Sequence, residues 1–370
     1  MIASNQNRTA SKSGILLKYV NIYRRKIMGA LTENIGNSHV NATVHVGTKI
    51  EIKKILVVRP NHRLGNLLLT TPLIQELVDT FPDCEIDVLA KGSLAPIVFG
   101  NYKNIKNYIL LPRKPFNELI NYCRVWLKVK NKTYDLVINA VKGSSSGKLL
   151  TKISNAKYKV FGEIEGLSEN ELSDNFHMAK NPIYNLRDYL SMLGLKKNTN
   201  TIASLDLRLT ANEISKGEHI LKEITKNNQK TICIFTYATG DKCYSKLWWK
   251  RFYKELKTHY KDYNIVEILP IENVSQIDFE AQTFYSEDIR EIGSVIANAE
   301  LFIGADSGIM HLASSTKTTT VGLFFKSKIE KYKPYHNGSI AINTESISIT
   351  DSINRIGEVL NKEFLMVSSL

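Results

Sequence analysis

Two stretches of this chain share one pattern: an apolar run, a glycine-bearing polar turn, then a second apolar run with helical spacing. In the later stretch, Leu301-Phe302-Ile303 leads into Gly304-Ala305-Asp306-Ser307-Gly308-Ile309-Met310-His311-Leu312-Ala313. A short apolar run bounded by turn residues reads as a buried strand, and Gly, Asp and Ser arriving together are turn formers. In the earlier stretch, Lys54-Ile55-Leu56-Val57-Val58 precedes Arg59-Pro60-Asn61-His62-Arg63-Leu64-Gly65-Asn66, and Leu67-Leu68-Leu69-Thr70-Thr71-Pro72 follows. A strand that passes through a tight turn into a helix leaves the first helical amides without acceptors. A phosphate or diphosphate is stabilised there. Asp306 and His311 would flank that spot, although an N-cap and a buried histidine need no ligand.

The rest of the chain repeats the strand–helix rhythm. Strands are expected at Ile55–Val58, Glu85–Leu89, Tyr108–Leu111 and Leu136–Ala140. Between them come a helix over Leu67–Asp79, a short one begun by Pro96–Phe99, and one over Phe116–Lys130. That last helix places apolar residues at 119, 120, 123, 126 and 127. The pattern loosens between Pro182 and Gln229, with a loop at Asn198–Thr201 and a helix over Thr210–Lys226. A second series then gives strands at Thr231–Phe235, Ile265–Leu269, Leu301–Ile303 and Thr319–Phe324. Its helices are Trp248–His259 and Ile289–Ala297, and residues 351–361 close the chain. Such alternation argues for parallel sheets covered by helices on both faces. The expected class is α/β, as two doubly wound Rossmann-like units facing a cleft.

At 370 residues the chain suits two domains. No stretch is apolar enough to span a membrane, and no secretory leader is recognised, so export is not expected. Cys84, Cys123, Cys233 and Cys243 form no CxxC pair and read as reduced, mostly buried thiols of a cytoplasmic protein. The net charge of +13 points to an acidic partner. Residues 1–50 hold seven Lys/Arg against one acid, Glu33. Within them Leu16, Tyr19, Val20, Tyr23 and Ile27 recur at helical spacing among Lys18, Arg25 and Lys26. A basic amphipathic helix of this kind, residues 12–30, can lie on an anionic leaflet, pack on the protein itself, or form a free arm. No nucleic-acid-binding fingerprint or basic stripe with interleaved aromatics is present, so nucleic acid is not expected as a partner. Gly143-Ser144-Ser145-Ser146-Gly147-Lys148-Leu149 falls one residue short of a phosphate loop and lacks its Ser/Thr, and reads as a flexible, acceptor-facing loop. The eight histidines show no zinc spacing.

Taken together, the two glycine turns resemble glycosyltransferase family 9, the heptosyltransferase family of lipopolysaccharide core synthesis. Residues 59–72 are similar to its Arg-x-x-x-Leu-Gly-Asp-x-Leu-Leu-Thr-Thr-Pro opening, with one residue more between Arg59 and Leu64 and with Asn66 where the family has aspartate. Asp306–Ala313 is similar to its Asp-Ser/Thr-Gly-x-x-His-Leu-Ala signature, and Ser245-Lys246-Leu247-Trp248 to its Thr/Ser-Lys-x-Trp segment. The resemblance runs from about Ile52 to about Phe325 and implies a GT-B fold. It implies a basic extension over 1–50, an acceptor-binding domain over 51–205, a nucleotide-sugar domain over 206–348 and a closing helix over 349–370. The implied reaction is inverting, metal-free transfer of a sugar, most plausibly heptose from ADP-heptose, onto an acidic lipopolysaccharide-core or related glycolipid. The nucleotide sugar is a co-substrate, no cofactor is implied, and the implied location is the cytoplasm or the inner face of its membrane.

The same resemblance distributes roles. Lys246 and Thr239 would meet the diphosphate, although most lysines are simply solvated. Asp306, Ser307, Gly308 and His311 would contact the donor, with Gly308 permitting close backbone approach. Apart from the resemblance, Glu272 stands after the strand 265–269, where acids often bond a ribose, and reads otherwise as a solvated loop acid. Arg59, Arg63 and Gly65 would serve the acceptor, the arginines through bidentate phosphate contacts or salt bridges. The family's general base is the aspartate replaced here by Asn66, and an amide cannot take a proton near neutral pH. Three alternatives stay open: His62 acts as base; Asn66 only orients the acceptor and transfer relies on positioning; or the protein binds a sugar nucleotide without transferring it. A transferase that modifies protein rather than lipid is a further alternative.

Overall fold

The computed structural model describes residues 29–30, 32, 35, 50–113, 118–162 and 176–367, with side chains as far as 361. The basic segment at 12–30 lies almost wholly outside the described residues. Among the described residues no helix is long and apolar enough to cross a membrane.

The first half runs β1 (Lys54–Val58), α1 (Leu64–Leu68), α2 (Thr71–Thr80), β2 (Glu85–Lys91), α3 (Ala95–Phe99) and β3 (Ile105–Leu111). It continues through α4 (Leu119–Asn131), β4 (Thr133–Asn139), α5 (Ser145–Ile153), β5 (Asn155–Val160) and α6 (Asn181–Met192). The five strands are parallel, in the order β3-β2-β1-β4-β5. The expected helix over Leu67–Asp79 is two helices. Pro72 sits in the first turn of α2, where a missing N–H costs nothing and a new helix starts readily. The Ser-Gly-Lys stretch is not a flexible loop: it is α5, capped by Ser144, whose hydroxyl accepts from the Gly147 amide at 3.1 Å.

The second half runs α7 (Ala211–Thr225), β6 (Thr231–Phe235), a 3₁₀ turn (Gly240–Lys242), α8 (Lys246–His259), β7 (Asn264–Ile268), β8 (Gln282–Phe284), α9 (Ile289–Ile296), β9 (Leu301–Ala305) and α10 (Gly308–Ser314). Then come β10 (Thr319–Phe324), α11 (Ile329–Tyr332), β11 (Ile340–Asn343) and α12 (Ile349–Val367). Its six strands are also parallel, in the order β11-β10-β9-β6-β7-β8. The strands β6, β7, β9 and β10 are buried throughout, as expected of a sheet covered on both faces. Ile353, Ile356, Val359 and Leu360 of α12 pack into the core that holds Trp249, Phe252 and Leu256 of α8.

In each sheet the strand order reverses beside the first strand of its series, between β1 and β4 and between β6 and β9. Open parallel sheets bind ligands in the crevice at the carboxyl ends of the strands at such a reversal. The turn after β1 and the turns after β6 and β9 therefore stand at the two switch points.

Sequence pattern alone missed β5, α6, β8 and β11. Helix α6 is tied down by a buried ion pair. Arg187 Nε and Nη2 donate to Glu76 Oε1 and Oε2 of α2 at 2.8 and 2.7 Å. Asn198 Nδ2 donates to Glu76 Oε1 at 2.9 Å, and Arg187 Nη1 to the Asn200 carbonyl at 2.8 Å, so the 198–200 loop is stitched to the same pair. Removing one partner leaves a buried charge uncompensated. Arg187→Met is expected to lower unfolding free energy by about 3–5 kcal/mol in urea titrations, and adding Glu76→Leu to recover most of it. A single variant as stable as the natural protein would show the pair is dispensable.

Candidate functional site

The turn after β1 continues the sheet for three residues. The Arg59 amide donates to the Leu89 carbonyl at 2.8 Å, and the Lys91 amide to the Asn61 carbonyl at 3.1 Å. The Asn61 side chain then accepts from the Arg63 amide at 2.9 Å. This holds His62 and Arg63 outward, and both are exposed. His62 stands in a cationic neighbourhood. Its imidazole is pushed below its ordinary pKa by partial desolvation and then by Lys91, Arg113 and Arg63. It is therefore neutral, with a free lone pair, at physiological pH.

Arg59, expected to meet acceptor phosphates or to form a salt bridge, is buried and, among the described residues, makes neither contact in this structure. It is 4% exposed, and its Nη2 donates to Asn66 Oδ1 at 2.9 Å while Nε donates to the Asn66 carbonyl at 3.2 Å. Burial lowers its pKa to about 10, with only the Tyr332 phenol opposing that shift. Asn66 is thus the hydrogen-bond partner of a buried guanidinium.

On the other side of the cleft, β9 ends at Ala305 and the Asp306 amide donates to the Leu323 carbonyl of β10 at 3.2 Å. Ser307 is the N-cap of α10: its hydroxyl accepts from the Met310 amide at 3.2 Å. Asp306 and His311 are both buried. Asp306 Oδ2 is paired with the Lys242 ammonium, and Oδ1 lies 3.9 Å from His311 Nε2. Lys242 stands 5.3 Å over the Tyr332 ring, whose centroid is 6.2 Å from that of His311. Burial, with help from His177 and Lys242, pushes the His311 imidazole well below its usual range against the pull of Asp306. His311 is accordingly a neutral hydrogen-bonding group.

The two turns meet. A Cβ placed on Gly65 would stand 2.7 Å from His311 Cδ2 and 3.3 Å from Gly308 Cα. One on Gly308 would lie 3.4 Å from Leu64 Cβ and 3.5 Å from the Gly65 nitrogen. The close backbone approach expected of Gly308 is therefore, in this structure, to the opposite half of the molecule. Gly65, Gly308, His311 and, through Asn66, Arg59 form one contiguous constellation with Asp306, Lys242 and Tyr332.

Other expected site residues stand apart from that constellation. Lys246 opens α8 behind its cap, Ser245. Its ammonium pairs on the surface with Asp278 at 2.6 Å, and Lys250 shares the same carboxylate. Thr239 is exposed in the turn before Gly240, whose φ of +67° suits glycine. Glu272 is exposed and lies near Tyr237, whose phenol it helps to raise. Trp248 stacks on Phe252 at 5.0 Å, and Trp249 is buried.

Three contributors carried no usable sequence signal. Lys242 lies four residues before the motif lysine, in a turn whose course was not legible. Tyr332 comes from a four-residue helix far along the chain. Glu267, inside β7, is fully buried and accepts from Thr236 Oγ1 and from Ser275 Oγ, the latter at 2.7 Å. Desolvation raises its carboxyl pKa. Ser275 in turn accepts the Ile277 and Phe279 amides at 3.1 and 3.0 Å, so Glu267 anchors the loop that carries Glu272.

The state of His311 has a thermodynamic signature. Its folded pKa lies below the ordinary value of 6.5. Below pH 6.5 the unfolded chain therefore binds a proton that the folded one refuses, and stability falls as pH drops through that window. Between pH 7 and pH 5 the natural protein is expected to lose about 1–2 kcal/mol more than His311→Gln in urea titrations. Equal pH slopes for the two proteins would exclude His311 as the responsible group.

Comparisons with known proteins agree with this geometry. Residues 122–353 match the family model described as glycosyltransferase family 9 (heptosyltransferase). Lipopolysaccharide heptosyltransferase 3 of Escherichia coli strain K12 is 22% identical over 322 residues, covering 82% of this chain and 91% of that protein. A family 9 glycosyl transferase from Veillonella parvula superposes with a TM-score of 0.65 at 16% identity, over 85% of this chain and 99% of that one. The E. coli heptosyltransferase WaaC, solved with ADP, superposes with a TM-score of 0.60 at 13% identity, over 83% of this chain and 99% of that one. The likeness of the structures establishes the GT-B architecture, two parallel sheets facing one cleft. The family match establishes the rest: this chain belongs to glycosyltransferase family 9, the heptosyltransferase family, and is a glycosyltransferase enzyme.

Proposed function

We propose that this glycosyltransferase moves a heptose from ADP-heptose onto a lipopolysaccharide-core or related acidic glycolipid, with inversion and without a metal ion. The observation that carries the reading is the contact of the two glycine turns, Gly65 against Gly308 and His311. It brings the segment that resembles the family's acceptor loop against the segment that resembles its donor turn. Transfer needs the attacking hydroxyl and the breaking bond within a few ångströms. A single displacement, with the hydroxyl on the face opposite the diphosphate, inverts the sugar carbon. The relatives that match are named as heptosyltransferases, and WaaC was solved with ADP.

In this reading the leaving diphosphate is stabilised by cations and helix-terminal amides, the arrangement that supplies most of the rate in such displacements. Lys242 is in place to exchange Asp306 for the diphosphate, and Lys246 to exchange Asp278. Ser307 and Gly308 border the same space, and this reading also keeps Thr239 for the diphosphate and Glu272 for the ribose, although both stand apart from that constellation in this structure. Arg63, with Lys91 and Arg113 near it, receives the acceptor's acidic groups. His62 takes the hydroxyl proton, because partial desolvation and then its cationic surroundings keep it neutral. Lys242→Met is expected to lower kcat about 10²-fold with ADP-heptose. Turnover within twofold of the natural rate would remove Lys242 from the mechanism.

A second reading is favoured by one specific feature. Asn66, at the family's base position, is held by Arg59, so no carboxylate is available there. Such a site would bind the sugar nucleotide without transferring it. The decisive assay follows released nucleotide and glycolipid mass with ADP-heptose, and separately with UDP-, GDP- and TDP-sugars, for the natural protein and for Asn66→Asp. Turnover by the natural protein is expected. Its acid limb should lie below the ordinary histidine range, where a lowered pKa keeps His62 unprotonated, and His62→Ala should abolish transfer while sparing donor binding. Turnover by Asn66→Asp alone would establish the binding-only reading.

A further inference from the structure

Helix α4 is apolar on two sides. Tyr122, Val125, Trp126 and Val129 face the sheet, packed with Leu56, Val58, Leu89, Ile109 and Leu111. Of the apolar positions noted in the sequence, 119, 120, 123, 126 and 127, Trp126 packs toward the sheet. The others form an outer ridge: Ile120 is 71% exposed, Leu127 57% and Leu119 56%, with Cys123 exposed between them. Positions 120, 123 and 127 lie within about a quarter-turn of one another on a helix roughly 20 Å long. Apolar side chains this exposed, aligned on one face, mark an interaction surface.

The charges beside the ridge narrow the occupant. Arg124 and Lys128 follow Ile120 and Leu127 around the helix, and Lys130 flanks the other side. The helix contains no acidic residue, and among the described residues Lys128 and Lys130 have no carboxylate partner. A second copy of this chain would oppose cation to cation. The chain's own first fifty residues are strongly basic and would be repelled as well. An apolar ridge a few residues wide, bordered by cations, is the pattern by which a helix lies in the headgroup layer of an anionic bilayer. The amino end of α4 follows β3, so it opens at the same rim of the sheet as His62, Arg63, Lys91 and Arg113.

We propose that the outer face of α4 docks on an anionic lipid bilayer, holding the acceptor side of the cleft at the headgroups. This rests on reading the acceptor as a glycolipid. It assigns the docking to Ile120, Leu127, Arg124 and Lys128 rather than to the basic segment near the amino terminus alone.

Full-length protein would be sedimented with phosphatidylglycerol/phosphatidylethanolamine vesicles and with phosphatidylcholine vesicles. The natural protein is expected to bind the anionic vesicles selectively. Arg124→Gln with Lys128→Gln should weaken that binding about thirtyfold, and Ile120→Ser with Leu127→Ser should abolish it. All four side chains are outward, so thermal melts should be unchanged. Transfer to a deacylated, soluble acceptor should be unchanged as well, which separates this proposal from the catalytic one: failure of all transfer with vesicle binding intact would overturn only the latter. Vesicle binding that survives both pairs of substitutions, or no binding by the natural protein, would overturn the docking role. So would a dimer in sedimentation equilibrium that the serine pair dissolves.

Discussion

The separation between α1 and α10 is the dimension on which the rest of this molecule depends. Two parallel sheets each end in turns at their switch points, and those turns can form one site only if the helices behind them touch. Glycine at 65 is what lets them touch: any side chain there would run into the His311 ring or the Gly308 backbone. His311 therefore does two things at once. It is a wall of the cleft and a packing partner of the opposite half, and being buried it stays uncharged. A charged imidazole at that seam would carry a desolvation cost of several kcal/mol, which a 3.9 Å approach to Asp306 does not offset.

The electrostatics of the cleft follow from the same enclosure. Asp306 is buried, so it holds a cation, and Lys242 reaches it from the turn after β6. Arg59 is buried without a carboxylate, so its guanidinium is satisfied by amide oxygen instead. The two halves thus contribute opposite kinds of site: an acid neutralised by a half-exposed lysine on one side, a buried cation on the other. In the proposed mechanism a diphosphate entering between them replaces Asp306 as the partner of Lys242. Glu267, whose carboxyl burial raises above its ordinary pKa, steadies the neighbouring loop from within the sheet through Thr236 and Ser275.

Much of this was legible in the letters. Alternating runs and turn residues marked the buried strands, because a parallel sheet covered on both faces leaves continuous apolar segments with little ambiguity. Thr231–Phe235 and Thr319–Phe324 read true to the residue. Where the signal was amphipathic, it misled. Helix α4 has apolar residues on both sides, so the apolar positions at 119, 120, 123, 126 and 127 did not say which face is buried. Strand β5, Asn155-Ala156-Lys157-Tyr158-Lys159-Val160, alternates at a sheet edge and was passed over. In the site, local spacing found the turns but not the distant groups folded against them. Tyr332 and Lys242 are joined to Asp306 and His311 only by tertiary structure, and Arg59 reads as a phosphate ligand until its burial is seen.

The exposed cations around His62 bear on the tempo of the reaction as well as its chemistry. Arg63, Lys91 and Arg113 converge on one rim of the first sheet, and a positive rim at a cleft with a low-dielectric floor gathers field lines. The acidic acceptor proposed above would be drawn in from beyond contact distance, so its capture would become a matter of long-range attraction. Added electrolyte shortens the reach of that attraction to roughly a nanometre or less. The association rate should then fall with ionic strength, while events inside the closed cleft, behind Gly65 and Gly308, proceed at an unchanged pace.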